Sequence, residues 1–140
     1  MGGCFVKLSG MQLRRLYPLT ALLLALMASP AKAEWKQYAA GEGYSWHYEL
    51  PFIKREGPTR TFWIVKNLSV LDENERMSYR FLVQLNCKSR KYRYLTVRGF
   101  DGAMGEGKLL GFDDKLGPWV EISPQTLKAH LEDHICRMPE

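Results

Sequence analysis

Residues 79–99 read YRFLVQLNC, KSRK and YRYLTVRG in succession, and the rest of the architecture can be inferred outward from them. In the first nine residues, apolar side chains alternate with polar ones, which is typical of a half-buried antiparallel strand. The polar tetrapeptide Lys88–Lys91 predicts a turn, and residues 92–98 return as a second strand. Cys87 therefore closes the first strand on its apolar face.

The first 33 residues have the pattern of a secretory signal peptide. Basic residues precede a short apolar run, Leu16–Met27, and Ala31-Lys32-Ala33 supplies small residues at a peptidase site. The run is shorter than the about 20 residues that a bilayer span needs, although an uncleaved membrane anchor is the alternative. We expect residues 1–33 to be a signal peptide and residues 34–140 to form a single domain.

Removal of this leader changes the charge of the protein. The full chain has 20 basic and 15 acidic residues, but four of the basic ones and none of the acidic ones lie in the leader. The remaining 107 residues carry 16 basic and 15 acidic residues, a net charge of +1 instead of +5. This near-neutral balance argues against a nucleic-acid partner. Either Met1 or Met11 could be the start, because residues 11–33 alone contain a complete signal.

The cysteines predict a disulfide and no lipid anchor. Cys4 precedes the apolar run of the leader, and no cysteine directly follows that run, where a lipid would be attached. We expect an exported protein of the periplasm, the cell surface or the medium. Cys87 and Cys136 remain, and two cysteines in an oxidising compartment should pair; two free buried thiols are the alternative. Closing a loop of 49 residues would stabilise the fold by about 4 kcal/mol.

Other segments also alternate like strands. We predict strands or extended edges over Glu34–Tyr38, Tyr44–Leu50, Phe52–Glu56 and Thr59–Lys66, and a short strand over residues 109–112. The segment Thr59–Lys66 is apolar on both faces, which places it in the middle of the sheet. Residues 67–77 are rich in charge and predict a solvated loop.

A C-terminal helix should cover this sheet. Ser123 at a cap and Pro124 at the first helical position predict its start. Leu127, Leu131 and Ile135 recur every four residues and give it one apolar stripe. Such a helix must lie on the sheet, on the face to which Cys87 points. The predicted fold is α+β, an antiparallel sheet with one C-terminal helix disulfide-tethered across one face.

In this order, the segments resemble the surface-adhesin protein E family of Gram-negative bacteria. The resemblance rests on the leader, the aromatic strands, Leu85-Asn86-Cys87 before a basic turn, GAMGEGK at 102–108, and WVEISPQT at 119–126 before a helix that ends in cysteine. It implies roughly six antiparallel strands, binding of host extracellular-matrix proteins, and a homodimer. The chain departs from it in lacking an anchor cysteine, so a periplasmic accessory protein of unknown ligand is the alternative function.

The hairpin contains the candidate binding patch. It combines basic and aromatic residues, namely Lys88, Arg90, Lys91, Tyr92, Arg93 and Tyr94. Such a surface can bind acidic proteins or glycans. The alternative is a charged turn that keeps the hairpin soluble.

Other motifs do not predict catalysis or a cofactor. Residues 102–108 have the glycine spacing of a phosphate-binding loop, but Leu109 stands where Ser or Thr is needed, so we expect a hairpin loop with unusual backbone angles. His130 and His134 lie one helical turn apart, but a metal or haem site would need further ligands, and His47 is the only other histidine. We interpret the pair as a solvated helix face. Without a nucleophile elbow or paired-carboxylate motif, we expect a protein that is not an enzyme and carries no metal or cofactor.

Overall fold

Alternating aromatic and polar residues build the sheet that makes up most of this chain. In a computed structural model, which describes residues 33–139, the sheet has eight strands. They are β1 (Glu34–Gly41), β2 (Tyr44–Leu50), β3 (Lys54–Glu56), β4 (Thr59–Leu68), β5 (Ser78–Asn86), β6 (Lys91–Phe100), β7 (Leu109–Asp113) and β8 (Val120–Glu121). The predicted signal peptide lies outside the described residues, apart from Ala33.

The strands pair antiparallel in the order β1-β2-β4-β5-β6-β7, and the predicted count of six is wrong because two short strands join this path. β3 pairs with β4 at residues 59–61, beyond the part that β2 covers, and β8 pairs with β6 at Lys91 and Tyr92, beyond the part that β7 covers. Pro51 stands between β2 and β3, and proline cannot donate a ladder hydrogen bond. Six positions across the sheet are thus filled by eight segments.

The central hairpin and its neighbour agree with the alternation in the sequence. β4 lies between β2 and β5, as its two apolar faces predict, and β5 pairs with β6 from Ser78↔Phe100 to Asn86↔Lys91. The buried core consists of Tyr38, Tyr48, Phe62, Ile64, Val83 and Leu85 from the strands, with Ile122, Leu131 and Ile135 from the C-terminal segment. This core lies on the face of β5 to which Cys87 belongs.

Helix α1 (Leu127–Cys136) packs on that face, and the Cys87–Cys136 disulfide joins the two elements with Cα atoms 5.8 Å apart. The predicted start of the helix is wrong. Thr126 caps α1 and accepts a hydrogen bond from the backbone N–H of Ala129 at 3.2 Å. Gln125 has φ 62°, a left-handed conformation that interrupts a helix started at Ser123.

Within residues 33–139, no helix is long and apolar enough to cross a membrane.

Candidate functional site

The candidate binding patch on the hairpin is divided between the two faces of the sheet. Tyr92 and Tyr94 lie on the α1 side, where they pack against the core. Arg93 lies on the opposite side, where its Nε donates to Gln84 Oε1 at 2.8 Å and its guanidinium stacks 4.5 Å from the Trp119 ring centroid. Lys88 is exposed in the turn, and Lys91 Nζ lies 3.9 Å from Glu121. The six residues therefore do not form one continuous surface.

Arg90 has a structural role at the turn. Its Nε and one terminal nitrogen donate to both carboxylate oxygens of Glu132 on α1, at 2.9–3.2 Å. The Glu132 side chain is only 9% exposed, and Arg90 supplies the hydrogen bonds that its buried carboxylate oxygens accept. Hydrogen bonding to Glu132 also raises the pKa of Arg90. Arg90 thus ties the hairpin turn to the helix, beside the disulfide.

An aromatic cleft lies between the start of α1 and the sheet, with a volume of about 90 Å³. We call it the aromatic cleft. Its walls are Tyr38, Trp46, Tyr92 and Tyr94 on the sheet side, aliphatic core residues at its base, and Leu127, Lys128 and Leu131 from α1. Sequence reasoning identified Tyr92 and Tyr94 but missed Tyr38, Trp46 and Lys128. The aromatic alternation of β2 could have identified Trp46, because it places Trp46 with Tyr48 on the face that packs against the helix.

Lys128 gives this cleft a positive charge at its rim. Its Nζ lies 4.7 Å from the centroid of the Tyr92 ring. Burial acts to lower the pKa of Lys128, but its hydrogen bond with Tyr92 and its proximity to Tyr94 raise that pKa overall. Burial raises the pKa of Tyr94, so the tyrosine remains neutral. The cleft therefore offers an apolar wall beside one cation, which suits an apolar group adjacent to an anion.

The sheet has a second face, opposite the one that α1 covers. On this second face, three arginines stack on aromatic rings. Arg80 lies over Trp35 and Phe100 at 5.2 and 5.9 Å, Arg98 over Trp63 at 5.6 Å, and Arg93 over Trp119. Within residues 33–139, none of the three forms an ion pair. This stacking orders the guanidinium groups without neutralising them. The face is basic and aromatic. Of its three stacked arginines, Arg93 belongs to the candidate patch and Arg98 to the same basic cluster of the hairpin sequence, whereas Arg80 was missed.

The glycine-rich loop covers one end of this second face and does not have the structure of a phosphate-binding loop. Residues Ala103–Gly105 form a single 3-10 turn, and strand β7 follows where a phosphate site would need a helix. Gly105 and Gly107 have φ 73° and 83°, the unusual backbone angles expected for this loop. The Met104 N–H donates to Asn67 Oδ1, and the Gly105 N–H donates to Ser78 Oγ, both at 2.8 Å.

The histidines lie on two separate elements. His47 on β2 contacts Ser45, with Nε2 2.9 Å from Oγ, whereas His130 and His134 contact each other on α1. Burial lowers the pKa of His47. Among the described residues, no group of three or more histidine, cysteine, aspartate or glutamate side chains could enclose a metal ion.

The model of the family described as surface-adhesin protein E matches residues 35–137. Crystal structures of protein E from Haemophilus influenzae also resemble this chain. One structure is 20% identical with a TM-score of 0.53, covering 71% of this chain and 87% of that one. A second crystal form is 18% identical with a TM-score of 0.55, covering 76% and 96%. At this identity the likeness is evidence for the fold. No curated protein matches the chain.

The antiparallel sheet, the tethered helix and these matches together define an adhesin-like α+β domain. The chain belongs to the surface-adhesin protein E family.

Proposed function

We propose that this chain is an exported, non-enzymatic adhesin-like domain that binds host extracellular-matrix proteins or other extracytoplasmic proteins. The observation that carries this proposal is the family match over residues 35–137. The aromatic cleft supports it, because hot spots of protein interfaces are enriched in tryptophan and tyrosine side chains.

The contact surface is the aromatic cleft, and the cations of the neighbouring hairpin act on the partner at longer range from both faces of the sheet. Tyr92 and Tyr94 supply apolar area, and Lys128 pairs with an acidic group of the partner. Lys88, Lys91 and Arg93 steer an acidic partner toward the hairpin. Arg90 contributes indirectly, since its guanidinium is engaged by Glu132.

The test measures binding of the purified domain, residues 34–140, to matrix proteins such as vitronectin or laminin by biolayer interferometry. Lys88→Ala, Lys91→Ala and Arg93→Ala are combined in one variant, because these three side chains do not bridge to α1. We expect this variant to bind about tenfold more weakly, chiefly through slower association and with reduced salt dependence. Lys128→Glu should weaken binding by a comparable factor.

The matched control removes the same charge elsewhere. The control variant combines Lys54→Ala, Lys108→Ala and Lys115→Ala. These lysines are exposed, the first on β3 and the other two on the segments on either side of β7. This variant should bind as the wild type does. Absence of binding by the wild type contradicts the matrix-protein function. Equal loss of binding in both triple variants would show that only net charge matters, and it would contradict a specific role of the hairpin cations. Arg90→Ala is excluded from the test variant because it would also remove the ion pair with Glu132.

A periplasmic accessory protein is the second candidate function, favoured by the absence of an anchor cysteine after the predicted leader. Protease treatment of intact cells separates the two candidates. Digestion of the protein on intact cells supports a surface role, and protection until the outer membrane is opened supports the periplasmic one. The homodimer implied by the family resemblance is a separate proposal, which sedimentation of the purified domain tests.

A further inference from the structure

The two histidines of α1 lie with their Nε2 atoms close together. His130 and His134 are four residues apart, and these two atoms are 3.3 Å from each other. The ring centroids are 4.6 Å apart and the ring planes are inclined by 87°. Residues one turn apart on a helix are neighbours, but this spacing alone does not bring their two Nε2 atoms together.

This separation matches the geometry of a bound metal ion. Zinc–imidazole bonds are about 2.0–2.1 Å long, and two such bonds at a tetrahedral angle place their nitrogens about 3.3–3.4 Å apart. The same separation also fits a hydrogen bond from the N–H of one ring to the unprotonated nitrogen of the other. Metal titration distinguishes the two arrangements.

We propose that His130 and His134 bind one divalent transition-metal ion of the class that prefers imidazole, namely Zn²⁺, Cu²⁺ or Ni²⁺. Each residue supplies Nε2, and water completes the coordination. With two protein ligands the site is open, so it exchanges its ion and leaves positions for an external ligand. This proposal reverses the interpretation of the pair as a solvated helix face, because spacing in the sequence cannot reveal that the two nitrogens lie 3.3 Å apart.

The pair is accessible from the surface of α1. His130 is exposed, whereas His134 is partly buried and lies 6.1 Å from Tyr48, measured between ring centroids. Asp133, which lies between them in the sequence, forms an ion pair with Arg137 at 3.2 Å.

The experiment uses untagged, disulfide-bonded residues 34–140, treated with chelator and then titrated with Zn²⁺ or Ni²⁺ by calorimetry. We expect one ion per chain. His130→Ala and His134→Gln should each lower the affinity by about tenfold or more, since each removes one of only two protein ligands. His47→Ala is the matched control and should bind as the wild type does, because His47 lies on β2, where its Nε2 contacts Ser45.

Two further measurements distinguish ligation from a structural effect. Circular dichroism should show that both helix variants keep the wild-type fold. The electron paramagnetic resonance spectrum of the Cu²⁺-loaded protein should show two coordinated nitrogens in the wild type and one in each single variant. Unchanged affinity in both single variants, or loss of binding in His47→Ala alone, would overturn the proposal.

Discussion

Gly105 shows at the scale of single residues why the loop after β6 is rich in glycine. Its φ of 73° is in the left-handed region, and a Cβ at this position would overlap the side chain of Arg80. Its N–H donates to the buried hydroxyl of Ser78, which in turn donates to the Gly102 carbonyl at 2.6 Å. The loop thus satisfies a buried polar side chain and covers one end of the second face.

We predict that Gly105→Ala destabilises the protein by about 2–3 kcal/mol, since it adds left-handed strain of about 1–2 kcal/mol to a steric overlap. Gly43→Ala is the control because Gly43 has φ 79° with open space around it, so only the strain of about 1–2 kcal/mol applies. Urea denaturation measures both free energies of unfolding. Equal losses in the two variants would show that the packing of Arg80 against Gly105 contributes nothing.

Asp72 is a second residue whose properties depend on its contacts, which lower the pKa of its carboxyl group. The hydroxyl of Tyr79 donates to it, the backbone N–H groups of Arg76 and Asn74 donate to its other oxygen, and the charge of Arg76 adds to these effects. Together these contacts hold the pKa of Asp72 below its ordinary value of 3.8.

Tyr79→Phe should therefore raise the pKa of Asp72 toward the ordinary value, because it removes the largest of these contributions. A lowered pKa in the folded state stabilises the protein above the unfolded pKa, and this contribution is lost as the pH falls through the folded value. Nuclear magnetic resonance measures the pKa of Asp72 in both proteins, through the chemical shift of its carboxyl carbon from pH 6 downward. A pKa that is the same in the variant and the wild type contradicts the assignment.

At the scale of elements, alternation predicted some segments well and others poorly. Strand β2 has the predicted bounds, Tyr44–Leu50, since its aromatic alternation ends at a proline. Strand β8 has only two residues, too few for any periodicity, and was predicted only as a lead-in to the helix. Register shifts next to Tyr38 and Leu95 change which residues share a face, and no local signal in the sequence marks them.

The candidate site illustrates the same limit. The basic and aromatic character of the hairpin was evident from residues 88–94, but alternation along β6 separates Arg93 from Tyr92 and Tyr94. The partner of Arg90 is Glu132, 42 residues away, and the cation of the aromatic cleft comes from the helix. Contacts between elements distant in sequence depend on how the helix lies, which local patterns do not specify.

The position of the helix cap gives a direct test at this scale. Thr126→Ala should destabilise the protein by about 1 kcal/mol, because it removes the oxygen that accepts from the Ala129 N–H. Ser123→Ala should cost much less, since Ser123 contributes its backbone carbonyl to Thr126 and has no capping role in α1. Thermal or urea denaturation compares the two variants. A larger loss in Ser123→Ala would return the helix start to the position predicted from the sequence.

At the scale of the whole molecule, one covalent bond joins the central strand to the last helix. Cys87 and Cys136 are 49 residues apart, and the ion pair between Arg90 and Glu132 links the same two elements. A domain of this size buries only about two-thirds of its surface, so its stability is small. A link between distant elements then has a large effect on whether the fold persists. The compartment in which the protein matures therefore matters for its structure.

We expect the mature protein to begin at Glu34 and to carry the disulfide, which intact mass spectrometry of the exported product detects. Reduction should lower the free energy of unfolding by about 4 kcal/mol, because it releases a loop of 49 residues in the unfolded chain. A variant with Cys87→Ser and Cys136→Ser is the control, since reductant should leave its urea midpoint unchanged. If both sulfurs of the native product are alkylated without prior reduction, or if reductant leaves the wild-type midpoint in place, the helix is held by packing and by Arg90 alone.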